Sequence, residues 1–397
     1  MKKLFISFLF LHLSISTLIT TEPATPLFLQ IQRNCAKTSS SFLSIRSTPS
    51  QNSYKNVNFQ RDPTFLDPLN TIFLAGDSSK YELEKSSCGH GLNGQVFKAV
   101  NIENNQVYAL KVVHDHQEKN YRELQVLLDL KNCPNLCVLR DVLVDEAKFK
   151  APFTFVFDYF DYKPLSEFSK NLNKYTMKRL IYETLKGLDY IHSQGIMHRD
   201  IKHENVLMNP ETYEVRIIDL GQAEYYLPNK HNHFVTHSVG TLHYRAPEHF
   251  LKYHAHDYAV DLWSVGVMLG EMMFQKVFLF ETDRKHDWTG MHSAQQRPIL
   301  DRDQIDAIAK TMGTAGLLQY AEKFKDHMSL RVLEFVEEHP LVPWRKLVNE
   351  GNVHLVDGSG IDLLSKLLVY DHTQRLTAKE AMDHCYFKGI RKEVENL

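Results

Sequence analysis

Cysteine is scarce, with five among 397 residues, at Cys35, Cys88, Cys133, Cys137 and Cys385. They are too few and too scattered to form a disulfide framework, so a reducing compartment is the default. An excess of charge of one sign is missing as well: 46 Lys and Arg face 48 Asp and Glu, a net of -2. No global basic field exists to hold nucleic acid, and no nucleic-acid partner is expected. The chain has no Asn-x-Ser/Thr glycosylation acceptor and no internal repeat.

Long hydrophobic runs are also lacking. The nearest is Leu4 to Leu13, interrupted by Ser7 and His12 and followed by Ser14, Ser16 and Thr17, short of the roughly 20 mostly apolar residues that cross a bilayer. Preceded by Lys2 and Lys3, it reads as a signal-like segment over residues 1–20 and points to secretory entry, against the cysteine and glycosylation evidence. Membrane contact is expected nowhere else. With 43% hydrophobic residues, the rest can bury a sizeable core and does not have the composition of a disordered polymer.

Residues 21–80 are rich in Ser, Thr, Pro, Asn and Gln without periodicity and read as a linker or extension. Three antiparallel strands are predicted next, Tyr81 to Ser87, Gln95 to Val100 and Val107 to Val113, with Asn104-Asn105 as a turn. Helical spacing runs from Met177 to Ile191, with Thr176 placed to cap the start and Gly195 just past the end. A second helix, Ala259 to Phe274, is apolar on nearly every side and should be buried. The domain is expected over 81–387, as a small lobe (81–160) and a large one (161–387), with a tail at 388–397.

Gly89, Gly91 and Gly94 stand in G-x-G-x-x-G-x-V, ending at Val96. A dinucleotide fingerprint would open a helix, whereas the residues after Gly94 are strand-like, so the glycines form a hairpin flap over phosphates. Lys111 ends the strand containing Ala109, and Glu123 twelve residues on can pair with it and hold its ammonium toward the α- and β-phosphates. In His198-Arg199-Asp200-Ile201-Lys202-His203-Glu204-Asn205, Asp200 suits the acceptor of a substrate hydroxyl proton, Lys202 a contact to the γ-phosphate and Asn205 a ligand of Mg²⁺. Asp219, after the strand-like Ile217-Ile218, suits the second Mg²⁺ ligand, with Leu220 in place of the usual Phe as an apolar packing residue. Ala246-Pro247-Glu248 closes the set. These segments in this order point to a protein kinase of α+β, two-lobed fold that uses ATP and Mg²⁺ and acts on protein substrates. A kinase-fold scaffold without phosphate transfer is the alternative. The dispersed His114-x-His116, His231-x-His233 and His254-x-His256 pairs lack the tight spacing of a zinc site and read as solvated loops.

From Tyr81 to Phe387 the chain resembles the catalytic alpha subunit of casein kinase II. Its most specific matches are Asn101-Ile102-Glu103-Asn104-Asn105, Leu188 to Ser193 with Gly195 to His198, and Leu368 to His372 through Arg375-Leu376-Thr377-Ala378. The resemblance implies a Ser/Thr kinase of cytoplasm or nucleus, with Phe157 as gatekeeper. Asp158, Tyr159 and Phe160 would form the hinge, and Val96, Ala109 and Leu207 would sandwich the adenine. It further implies that Asp261 braces the catalytic loop, that Glu248 and Arg375 form a buried ion pair, and that a beta-type regulatory subunit docks near Asn101 to Asn105. The chain departs from the family where cations attract acidic substrates: His114 to Lys119 is mixed in charge, and Ser238 and Leu242 replace arginines, leaving Arg245. Preference for acidic sites should be weakened. The N-terminal extension does not resemble the family segment that holds the activation loop open. Thr236 or Ser238 could instead be phosphorylated and pair with Arg199. Asp283 to Asp301 reads as an inserted surface loop.

Overall fold

The computed structural model describes residues 54–61, 65, 73–91, 94–113, 118–131, 133–145, 148, 153–168, 172–227, 239–282 and 297–395. The signal-like residues 1–20, the pair Thr236 and Ser238, and residues 283–296 lie outside them. Three predicted strands become five: β1 (Tyr81–Gly91), β2 (Gly94–Asn101), β3 (Val107–Val113), β4 (Leu139–Leu143) and β5 (Phe153–Asp158), in the order β1-β2-β3-β5-β4. All their pairings are antiparallel. The Asn104-Asn105 turn forms as expected. Asn101 Oδ1 accepts the Glu103 and Asn104 backbone N–H groups, and Asn105 takes φ 55°, which asparagine tolerates better than most residues.

Under the sheet lies α1 (Glu118–Asp129), whose Leu124, Val126 and Leu127 share one core with Val113, Phe153 and Phe155. The large lobe is built on α2 (Lys174–Ser193) and α3 (Ala259–Phe274). The cap of α2 is Asn173, three residues before the predicted Thr176, with Asn173 Oδ1 accepting the Thr176 N–H. The error has a physical reason: the first turn, Lys174-Tyr175, carries no core residue, so the apolar period starts later than the helix does. In α3 every residue from Val260 to Phe274 is buried, each large aliphatic side chain contributing about 1.5–3 kcal/mol. Short strands β6 (Ile196–Met197), β7 (Val206–Met208), β8 (Val215–Ile217) and β9 (Glu224–Tyr225) pair as β6-β9 and β7-β8. Further helices are α4 (Arg297–Met312), α5 (Thr314–Lys323), α6 (Gly358–Leu367) and α7 (Lys388–Glu395). The insertion is thus helical from Arg297, and the expected tail begins as α7, with Ile390 buried. No helix among the described residues is long and apolar enough to cross a membrane.

Within residues 21–80, read as a linker or extension, the described residues from Tyr54 on pack against the domain. A 3-10 turn over Tyr54–Gln60 docks on the large lobe. Asn58, buried, donates through Nδ2 to Gly195 O (2.7 Å) and Tyr226 O (2.9 Å). Gly195 takes φ 76°, and a Cβ there would lie 2.6 Å from the Asn58 amide, so the position has room only for glycine. Arg61 pairs with Asp129 on α1, and Phe65 meets Tyr225 edge-on with centroids 5.0 Å apart. Tyr54 OH donates to Asp189 Oδ1, and Tyr258 OH to Tyr54 O. These residues tie α1, α2 and the segment after Asp219 together, a hold the sequence reading did not assign to the extension.

Candidate active site

Lys111 sits in β3, where the alternation of the strand turns its side chain toward α1. Its Nζ donates to Glu123 Oε1 at 2.6 Å and to Asp219 Oδ1 at 2.8 Å. Burial works against the ammonium, but the two carboxylates outweigh it and hold the Lys111 pKa above the ordinary lysine value. Asp219 responds in kind: burial would raise its carboxyl, yet Lys111 pulls it down to about 2.

The catalytic loop lies between β6 and β7 and hangs from one buried carboxylate on α3. Asp261 accepts the backbone N–H of His198 (Oδ2, 2.9 Å) and Arg199 (Oδ1, 2.7 Å), and His192 Nε2 lies 2.9 Å from Oδ2. This bracing matches the role the resemblance implied. Arg199 (φ 65°) and Asp219 (φ 61°) occupy the left-handed region, a strained conformation for non-glycine residues that concentrates at functional sites. The strain at Arg199 is held by Asp261.

Asp200 is the hub of the loop. Its Oδ1 accepts from Thr241 N and Thr241 Oγ1, each at 2.8 Å. Its Oδ2 lies 3.1 Å from both Asn205 Nδ2 and Lys202 Nζ. Lys202 also donates to Thr241 Oγ1 at 2.8 Å. Thr241 had no role assigned from sequence. Its signal was its place just after Gly240 in the segment leading to Pro247, but nothing in the pattern says that a threonine 41 residues from Asp200 reaches it.

A cleft of about 450 Å³ brings together Gly89, Gly94, Val96, Ala109, Lys111, Glu123, Phe157, Asp158, Phe160, Asp200, Lys202, Asn205, Leu207 and Asp219. Gly91 is the exception: it closes the hairpin end opposite Gly94, away from the lining, and Leu92-Asn93 beyond it lie outside the described residues. Cys88, Cys137, Tyr162 and Ile218 also line the cleft and were not anticipated. At Gly94 a Cβ would come within 2.2 Å of Val112 O, so only glycine lets the hairpin cross β3 this closely. The carboxylate of Asp158 is taken by Arg140 at 2.7 and 2.6 Å.

The lining fits an Mg²⁺-nucleotide. Val96, Ala109 and Leu207 give apolar walls for a flat base, and Lys111 gives a cation for phosphates at the other end. Asp219 and Asn205 offer the hard oxygen donors that Mg²⁺ prefers, since Asn205 Nδ2 is engaged by Asp200 and its Oδ1 is left to ligate. Leu220 is buried in the main core, as an apolar packing residue in that position should be. Glu248 and Arg375 form the buried pair, Nη1 to Oε1 at 2.9 Å and Nη2 to Oε2 at 3.3 Å. Arg199, named as partner for a modified Thr236 or Ser238, is turned inward and donates through Nε to Gln222 O at 2.8 Å. His256, read as part of a solvated loop, is buried against His249 with ring centroids 4.2 Å apart.

A two-lobed α+β fold with such a cleft between a glycine hairpin and an Asp-Lys-Asn loop defines the protein kinase class of phosphotransferase. Residues 82–387 match the family model of the protein kinase domain. The chain belongs to that family.

Proposed function

We propose that the chain is a serine/threonine kinase that uses ATP and Mg²⁺ and is akin to the casein kinase II catalytic subunit, with altered substrate choice. The observation that carries this reading is the triangle of Asp200, Lys202 and Thr241, closed by contacts of 2.8–3.1 Å. It leaves a carboxylate and an ammonium fixed side by side in the lining of the cleft. Asp200 orients the acceptor hydroxyl and takes its proton as the oxygen–phosphorus bond forms and the β–γ bridging bond breaks. Lys202, held by Thr241 and Asp200, would balance charge on the transferred phosphoryl group. Lys111, held by Glu123, grips the α- and β-phosphates, and the Gly89–Gly94 hairpin covers them. Asn205 and Asp219 would hold Mg²⁺, which when bound shields the phosphate charge.

Lys202 in the loop supports serine and threonine over tyrosine as acceptors. Support for the casein kinase II likeness comes from the matching segments, including the Asn101-centred turn, where a beta-type subunit would dock. The acidic-substrate preference of that family is not expected here, because the retained cation Arg245 donates to Gly240 O and pairs with Asp301 at 3.3 Å. The test is incubation with Mg²⁺, ATP and peptides bearing Ser, Thr or Tyr, followed by phosphoamino-acid identification. Phosphoserine or phosphothreonine is the expected product. Phosphotyrosine alone would overturn the acceptor class, and ATP binding without any transfer would favour the scaffold reading.

A further inference from the structure

A short helix, Ala378–Asp383, ends at His384, and a 3-10 turn over Cys385–Phe387 then leads into α7. Tyr386 and Phe387 are buried, whereas Cys385 before them is an exposed free thiol. Phe387 packs on Tyr182 of α2 and Tyr386 lies under Lys178, so the backbone that carries the sulfur is fixed. None of these residues lines the nucleotide cleft.

His384 is the second member of the cluster, and its side chain is only 7% exposed. Its Nδ1 accepts the Tyr386 backbone N–H at 3.2 Å, and its Nε2 lies 2.8 Å from Asp362 Oδ2 on α6. A backbone N–H can only donate, so Nδ1 carries the lone pair and Nε2 carries the hydrogen given to the carboxylate. Cys385 Sγ lies 3.9 Å from that same Nδ1. Lys366 Nζ is shared between Asp362 Oδ2 at 2.8 Å and His384 Nε2 at 3.3 Å. Lys366 and His384 hold the Asp362 carboxyl below its ordinary value. The carboxylate therefore offsets the nearby ammonium, and a second positive charge on the imidazole would not stand unmatched.

A nucleophile, a base within reach of it and a third group that orients the base form the arrangement that activates thiols. Cys88, the other exposed free thiol among the described residues, lacks it: its Sγ donates to the Val96 carbonyl at 3.4 Å, and burial pushes its pKa up. A carbonyl accepts a hydrogen bond from a thiol but does not take its proton.

We propose that Cys385 is a reversible modification site that exchanges with low-molecular-weight disulfides, with His384 as its base and Asp362 as the residue that positions the base. The site is independent of the kinase reading. The Cys385 proton passes to His384 Nδ1, and the thiolate attacks one sulfur of the disulfide. A new S–S bond forms at Sγ, the old one breaks, and the departing thiolate takes the proton back from His384. Cys385 is thereby oxidised, half of the disulfide is reduced to a thiol, and no further oxidant enters. A free thiol runs the step backward and restores Cys385.

The test uses the full chain with oxidised glutathione, and mass spectrometry reads the extent of reaction at each cysteine over time. Cys385 is expected to react about tenfold or more faster than Cys88. It should also react faster in the folded protein than in the urea-unfolded chain, which exposure alone cannot achieve. His384→Gln removes the cap on Tyr386 and can unsettle the turn, so the decisive variants are at the half-exposed Asp362. Asp362→Asn should slow Cys385 by about fivefold or more and leave the Cys88 rate and the unfolding midpoint unchanged, while Asp362→Glu should restore most of the rate. A folded-state rate at Cys385 no greater than in the unfolded chain, or equal rates in the wild type and Asp362→Asn, would overturn the proposal.

Discussion

Lys202 Nζ lies 2.8 Å from Thr241 Oγ1, and the same hydroxyl donates to Asp200 Oδ1 at 2.8 Å. One hydroxyl thus sets the spacing of the two charged groups at the transfer site. Thr241→Val removes it at nearly constant volume and is expected to lower kcat by about tenfold to a hundredfold, with little change in KM for ATP. Thr241→Ser keeps the hydroxyl and should recover most of the rate. Steady-state kinetics of the two variants checks this, and equal loss in both would point to a packing role for the methyl group instead.

Asn58 joins Gly195 and Tyr226, which its amide reaches at 2.7 and 2.9 Å. Asn58→Ala should destabilise the fold by about 1–3 kcal/mol, the usual cost of leaving a buried hydrogen-bonding group without its partner. Denaturant unfolding measures it. An unchanged midpoint would show that the N-terminal segment is a passenger on the large lobe.

Lys111 and Asp219 give a pH signature. Asp219 is drawn down to about 2, so its contribution to stability is complete above the ordinary carboxylate value near about 4 and is lost as pH falls through about 2. In Lys111→Met, the largest opposition to burial is lost, only His198 and the Gly221 N–H still favour the carboxylate, and the Asp219 carboxyl should titrate higher than in the wild type. Carboxyl-detected NMR titration of both proteins distinguishes this from the alternative, in which Asp219 titrates unchanged without the lysine.

Arg375 and Glu248 are almost fully sealed, at 0% and 2% side-chain exposure. Burial would raise Glu248, but Arg375 holds its carboxyl below the ordinary value. Arg375→Ala leaves a buried carboxylate unpaired and should cost about 3–5 kcal/mol, read as a shift of the unfolding midpoint. A loss within surface-mutation range would mean that another group compensates Glu248.

Residues tied to short local patterns were legible in the sequence. Lys111, Glu123, Asp200, Lys202, Asn205 and Asp219 meet in one cleft, because each sits at a fixed offset from a strand or loop whose geometry leaves little freedom. The ends of α3 were readable because its apolar residues run from first turn to last. β4 and β5 were missed: β5 is buried on both faces, without the alternation that marks a half-exposed strand, and β4 is only five residues long. Asn58 and Thr241 were missed for a different reason. Their partners are 137, 168 and 41 residues away, two of them backbone carbonyls, and no local periodicity records such contacts.

Single-turnover transfer of the γ-phosphate from Mg²⁺-ATP to a serine peptide, in the wild type and in Asp200→Asn with nucleotide binding measured alongside, tests the assignment of Asp200 most directly. The expected result is a loss of about a hundredfold or more in the transfer step, with ATP still bound. Transfer at the wild-type rate in Asp200→Asn would contradict it.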